Sequence, residues 1–188
     1  MNSEGVTVFL PLAFSQWCQE LKRNSSKPRR GDGSSRELVM PGTHCNLLYH
    51  LVFSTKERRP LISAAMKSRL HDDIGGIVRG EKGELLEINS VADHSHLLVR
   101  LPPTRAVADM LRLIKGSSSK WANETFRRGP TFAWQEGYAA FTVSQSQVPR
   151  LLVYLRGQEE HHRKRDFRRE LVALLRRNGI AFEESYLL

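Results

Sequence analysis

From His44 to Thr55 the run Leu47-Leu48-Tyr49-His50-Leu51-Val52-Phe53 is apolar on both faces of an extended chain, which predicts a central strand rather than an edge. Lys56-Glu57-Arg58-Arg59-Pro60 leads out of it. Ile62, Met66, Leu70, Ile74 and Ile77 then recur at helical spacing to about Arg79, with Gly80 and Gly83 marking the turn. Glu84 to Val91 and His94 to Leu101 follow each other too closely for a crossover helix, so they predict an antiparallel hairpin, stopped by Pro102-Pro103. Thr104 is read as the cap of a helix whose Val107, Met110, Leu111 and Ile114 form a core stripe running towards Trp121. Phe132 to Val143, interrupted at Gly137, predicts a fourth extended segment. Ser144 or Ser146 then opens a helix carrying Tyr154. Phe167, Leu171, Leu174 and Leu175 place a last helix from about Asp166 to Asn178, with Gly179 as its terminator.

The order β-α-β-β-α-β followed by helices predicts an α+β fold of the ferredoxin-like, split βαβ kind: an antiparallel sheet with helices on one face, plus C-terminal helices carrying the tyrosine. Residues 1–39 stand apart. Their stretch from Lys22 to Ser35 is rich in Ser, Gly, Arg and Lys and buries little, so it predicts a flexible extension before a single domain at 40–188, with Met40 as a conceivable internal start.

Charge changes the picture more than composition does. The 188 residues carry a formal net charge of +9 and a pI near 10.0, which favours a polyanionic partner through phosphate neutralisation and counterion release. No apolar run approaches the roughly 18 residues that a membrane span needs, and Cys18 and Cys45 form no CxxC pair, so a cytoplasmic, nucleic-acid-associated chain is expected. Lys56, Arg58 and Arg59 at a strand end, with Lys115 and Lys120 on a helix, are candidate phosphate contacts. P-loop, dinucleotide and GxSxG motifs are lacking, which excludes nucleotide-driven and serine-hydrolase chemistry of those types.

Two segments carry the chemistry. In Asp93-His94-Ser95-His96-Leu97-Leu98-Val99 the histidines sit at i, i+2 of a strand, so both imidazoles leave the same face and can reach one cation. In Tyr154-Leu155-Arg156-Gly157-Gln158, the phenol and the amide sit at i, i+4 and share a helix face. Brought together, His94, His96 and Gln158 form an open metal site of two imidazoles and a neutral oxygen, suited to Mg²⁺ or Mn²⁺, beside the nucleophile Tyr154. His161 is a candidate further ligand or orienting group, whereas Glu159, Glu160 and His162 read as helix surface. Taken singly each residue has an ordinary reading: a histidine pair on a solvent face, or a boundary tyrosine with its hydroxyl in water.

These motifs resemble the small single-tyrosine HUH transposases of insertion sequences, including the REP-associated tyrosine transposases. Further carriers are Tyr49-His50-Leu51-Val52-Phe53-Ser54-Thr55-Lys56-Glu57-Arg58, Trp134-Gln135-Glu136-Gly137-Tyr138, and Tyr154 to His162 with Phe167 and Glu170. The resemblance implies His94, His96 and Gln158 as metal ligands and Tyr154 as the nucleophile that cuts and rejoins single-stranded DNA through a 5′-phosphotyrosine link. It also implies hairpin DNA ends as substrate and a homodimer whose active sites are shared between chains. A different class is a non-catalytic module that grips hairpin DNA or RNA. Ser95 departs from the usual bulky apolar residue between the histidines. With its side chain on the far face of the strand, it is expected to loosen packing there, so that Ser95→Val keeps or raises stability.

Overall fold

The computed structural model describes residues 44–127, 129–158, 166–183 and 187. The expectations for 1–39 and for Glu159, Glu160, His161 and His162 lie outside the described residues. Strands β1 (Leu48–Ser54), β2 (Glu84–Ser90), β3 (His94–Arg100) and β4 (Ala139–Thr142) form one antiparallel sheet in the order β2-β3-β1-β4. Helices α1 (Ala64–Gly80) and α2 (Val107–Thr125) are the two crossovers, and α3 (Val148–Arg156) and α4 (Phe167–Arg177) follow the last strand. This is the α+β, split βαβ arrangement that the hydrophobic pattern predicts.

Strand periodicity divides the sheet into two faces. Leu51 and Phe53 of β1 with Leu97 and Val99 of β3 pack under Met66, Leu70, Ile74 and Val78 of α1 and Met110, Leu111 and Ile114 of α2. Alternate residues point the other way: Val52 meets Phe167 and Leu175 of α4, while Leu48 and Leu98 meet Val148 and Leu155 of α3. Because Val52 lies opposite His96 and Ser54 opposite His94, the histidine pair faces the α3/α4 layer.

Local structure differs from the sequence reading at three joints. Helix α1 starts at Ala64 with Ser63 accepting from the Met66 amide, so Leu61 and Ile62 enter the core from extended chain. Helix α2 is preceded by Ala106 with no side-chain cap, rather than by Thr104. The fourth extended segment is a strand only at Ala139–Thr142, preceded by an isolated bridge between Thr55 and Trp134. A turn of 3₁₀ helix, Gln145–Gln147, then leads into α3, which has Pro149 in its first turn. The last helix is bounded as predicted: Asp166 accepts from the Arg168 amide, and Gly179 follows at φ +65°, a left-handed conformation that glycine adopts at little cost.

Ser95 does lie on the far face, but it is not a packing defect. Its Oγ is 2.7 Å from Ser90 Oγ, which is 2.8 Å from His71 Nε2 on α1, and both serines are fully buried. Valine at 95 would leave the Ser90 hydroxyl with one fewer partner. We therefore expect Ser95→Val to lower stability by about 1–3 kcal/mol, read as a fall in melting temperature, in place of the gain that burial of a larger apolar residue would suggest. Unchanged or raised melting would show that the serine pair contributes nothing.

Candidate active site

Each histidine of the pair is held from behind. His94 Nδ1 lies 2.7 Å from Asp93 Oδ1, which makes Nε2 the lone-pair nitrogen of that ring. Burial opposes the charge on Asp93, but the hydrogen bond from His94 and the Arg58 guanidinium outweigh it and hold the carboxyl below its usual range. His96 Nδ1 lies 3.0 Å from His50 Nε2 on the neighbouring strand. His94 and His96 are both fully buried.

Opposite them, α4 brings Glu170. Its Oε1 is 3.7 Å from His96 Nε2 and accepts a hydrogen bond of 3.1 Å from Gln158 Nε2. One ligand atom each from His94, His96 and Glu170 lies within 4.8 Å of the others. Two imidazoles and a carboxylate converging in a shielded site suit a divalent cation of hard or borderline character, so the donor set fits a metal of this class. Burial raises the Glu170 carboxyl to about 7.

Tyr154 is on α3, half-buried, with its ring edge-on to His96 at 6.1 Å and to His50 at 6.3 Å between centroids. The last turn of its helix is tied to β2: Asn89 Nδ2 donates to the Leu155 carbonyl at 2.7 Å, and Arg156 Nε donates to Glu87 at 2.6 Å. Helix α3 ends at Arg156, so Gln158 lies beyond the Gly157 cap rather than one turn along the same helix, and it is fully buried against Glu170. One chain thus brings Tyr154, His94, His96 and Gln158 into one region. A cavity of about 600 Å³ opens beside Tyr154, lined by His50, Phe141, Glu170, Arg150 and Arg177 among others.

The basic candidates divide. Arg58 bonds Asp93 at 3.2 Å and Asp166 at 3.0 Å, and lies over Phe167, whose ring stacks on His94 at 4.1 Å. It therefore clamps the start of α4 to the histidine strand. Glu57 and Arg58 take left-handed φ values of 57° and 54° here, a strain of about 1 kcal/mol or more each. Lys115 donates to the carbonyls of Glu136 and Gly137. Lys56, Arg59 and Lys120 are exposed, Lys120 within 4.0 Å of Glu124.

Sequence reasoning assigned no role to Glu170, Asp93 or His50. Glu170 had a readable signal: an acid three residues after Phe167 falls on the apolar stripe of its own helix. His50 had another, as the one strongly polar side chain within a run apolar on both faces.

The architecture and site define an α+β domain of the split βαβ kind with a cluster of two histidines and a carboxylate, able to hold a metal, beside a tyrosine. Residues 43–158 match the family described as "Transposase IS200 like". The chain is 28% identical over 130 residues to the transposase of insertion sequence element IS200 from Salmonella typhimurium, covering 66% of this chain and 84% of that protein. It is 25% identical over 122 residues to the ISDra2 transposase TnpA of Deinococcus radiodurans, covering 61% of this chain and 85% of that one. The crystal structure of a Deinococcus radiodurans protein described as a transposase shares the fold, with a TM-score of 0.51 and 24% identity over 63% of this chain and 95% of that one. The chain belongs to the IS200-like transposase family and is thereby a DNA-processing enzyme. Among the described residues no helix is long and apolar enough to cross a membrane.

Proposed function

We propose that this transposase cuts and rejoins single-stranded DNA by transesterification at Tyr154. The observation that carries the reading is the placement, in one chain, of the Tyr154 ring 6.1 Å from His96 within the histidine-carboxylate cluster. The phenol of Tyr154 gives up its proton to solvent as its oxygen attacks the scissile phosphorus, the P–O3′ bond breaks, and the departing 3′ oxygen takes up a proton. The product is a 5′-phosphotyrosine link and a free 3′-OH, and the reverse attack by a 3′-OH rejoins strands without loss of bond energy.

His94 and His96 hold the metal, Mg²⁺ or Mn²⁺, with Gln158 as the neutral oxygen ligand and Glu170 as an added carboxylate. Held there, such an ion would supply Lewis-acid polarisation of the scissile phosphate. Asp93 fixes the His94 ring, and Arg58 holds α4 and its Glu170 in place. Arg150 and Arg177 at the cavity rim steer the backbone towards Tyr154, while Lys56, Arg59 and Lys120 contact flanking phosphates. Hairpin DNA ends are the substrate and the protein acts at the nucleoid. We also propose that the protein acts as a homodimer.

Retention of tyrosine, histidine pair and amide in one region favours this reading over a non-catalytic hairpin-binding module. Metal binding tests it. Below about pH 7 the Glu170 carboxyl takes a proton and is lost as an anionic ligand, so Mn²⁺ affinity should fall as pH drops through that value. Calorimetry should show Glu170→Gln binding Mn²⁺ roughly tenfold more weakly at pH 8, without the step near 7. Equal affinity and an unchanged pH profile in the variant would remove Glu170 from the site.

A further inference from the structure

We infer that His50 is a positioning residue for the metal centre, setting the tautomer of His96 so that its Nε2 lone pair faces the ion. The inference rests on the metal reading above and concerns a side chain with no assigned role in it.

A neutral imidazole carries its proton on one nitrogen and its lone pair on the other, so what Nδ1 does decides what Nε2 can do. His96 Nε2 is the atom turned towards Glu170, at 3.7 Å. To ligate a cation it must be the unprotonated nitrogen, with the proton on Nδ1. His96 Nδ1 lies 3.0 Å from His50 Nε2, both rings being buried. The Nδ1–H of His96 then donates to a lone pair on His50 Nε2, and His50 carries its own proton on Nδ1. With the opposite tautomer of His96, Nε2 would carry hydrogen and could not bind an ion.

The two ligands are therefore oriented by different chemistry. His94 is fixed by the neighbouring carboxylate of Asp93, whereas His96 is fixed by a neutral ring on the adjacent strand. Register makes this possible: His50 lies opposite Leu98 and Val52 opposite His96, so His50 is the diagonal neighbour of His96 on the same sheet face. The two rings are nearly parallel, 27° apart at 5.2 Å. On its other flank His50 packs against Phe141 of β4, at 5.9 Å, which limits its swing. An acceptor locked between strands costs less reorganisation on metal binding than a mobile one.

The test uses the full chain, first free of metal. Nitrogen-15 shifts of the His96 ring should show the Nδ1–H tautomer in the wild type and a loss of that preference in His50→Phe. Calorimetry with Mn²⁺ should show His50→Phe binding roughly 10- to 100-fold more weakly. His50→Gln, whose amide oxygen can occupy the position of Nε2, should restore affinity to within a few-fold and recover the tautomer. A merely structural role predicts that melting temperature and affinity fall together in both variants, and that result overturns the inference. So does an Nε2–H tautomer of His96 in the metal-free wild type, a reading that stands even where His50→Phe fails to fold. Absence of Mn²⁺ binding by the wild type, with His96 still in the Nδ1–H form, would instead sink the metal reading and leave the tautomer assignment in place.

Discussion

Tyr154→Phe is expected to abolish the covalent protein–DNA product altogether while leaving binding of hairpin DNA within a few-fold of wild type. The substitution removes one oxygen and keeps the ring that packs edge-on to His50 and His96. Leu155 is fully buried, and the Asn89 and Arg156 contacts that hold the end of α3 do not involve the phenol, so the helix should stay in place. On the proposed mechanism the substitution removes the attacking oxygen, and the expected fall in rate is at least about 10⁴-fold, within the range seen for loss of a covalent nucleophile. Binding and adduct formation are measured on the same protein by native and denaturing gels. A residual adduct at a comparable rate would place the nucleophile elsewhere.

The second large effect is acid lability. Burial lowers His50 from 6.5 to about 4. His71 is likewise lowered to about 4, first by burial and then by the nearby Lys67 charge. A histidine whose folded pKa is depressed favours the neutral form, so its contribution is complete above the unfolded value of 6.5 and is lost as pH falls towards 4. For His50 this amounts to at most about 3 kcal/mol. His71, partly exposed, contributes less. Glu170 has the opposite sign: its raised folded value makes the metal-free protein more stable below 4.5 and less so as pH rises through about 7. Measured in the Glu170→Gln background, which removes that offset, urea midpoints should fall steeply between pH 6.5 and 4. A flat profile in that interval would show that neither histidine is held neutral by burial.

Much of this was readable in the chain. The central position of β1 followed from a run apolar on both faces, and the hairpin of β2 and β3 from a connection too short for a crossover. The shared face of His94 and His96 followed from strand alternation alone. What escaped depended on long-range placement. The Arg58 clamp joins side chains 35 and 108 residues apart, and a charge run gives no hint which of its members will turn inwards. The bonds from Lys115 to the carbonyls of Glu136 and Gly137, 21 and 22 residues on, were equally out of reach of a sequence reading. The serine pair behind the histidines was invisible because residue 95 alone was judged, without its cross-strand partner Ser90. Glu170 was readable as an acid on an apolar stripe, but only the packing of α4 on the sheet shows what it meets.

The most direct test is mass spectrometry of the wild-type protein after reaction with single-stranded hairpin DNA and Mg²⁺ or Mn²⁺, followed by nuclease and trypsin. Cleavage after Arg150 and Arg156 releases Leu151 to Arg156, the peptide that contains Tyr154. The account predicts this peptide carrying a nucleotide through a 5′-phosphate on Tyr154, and only when metal is present. A nucleotide linked to any other residue, or an adduct formed equally well in excess chelator, would contradict it.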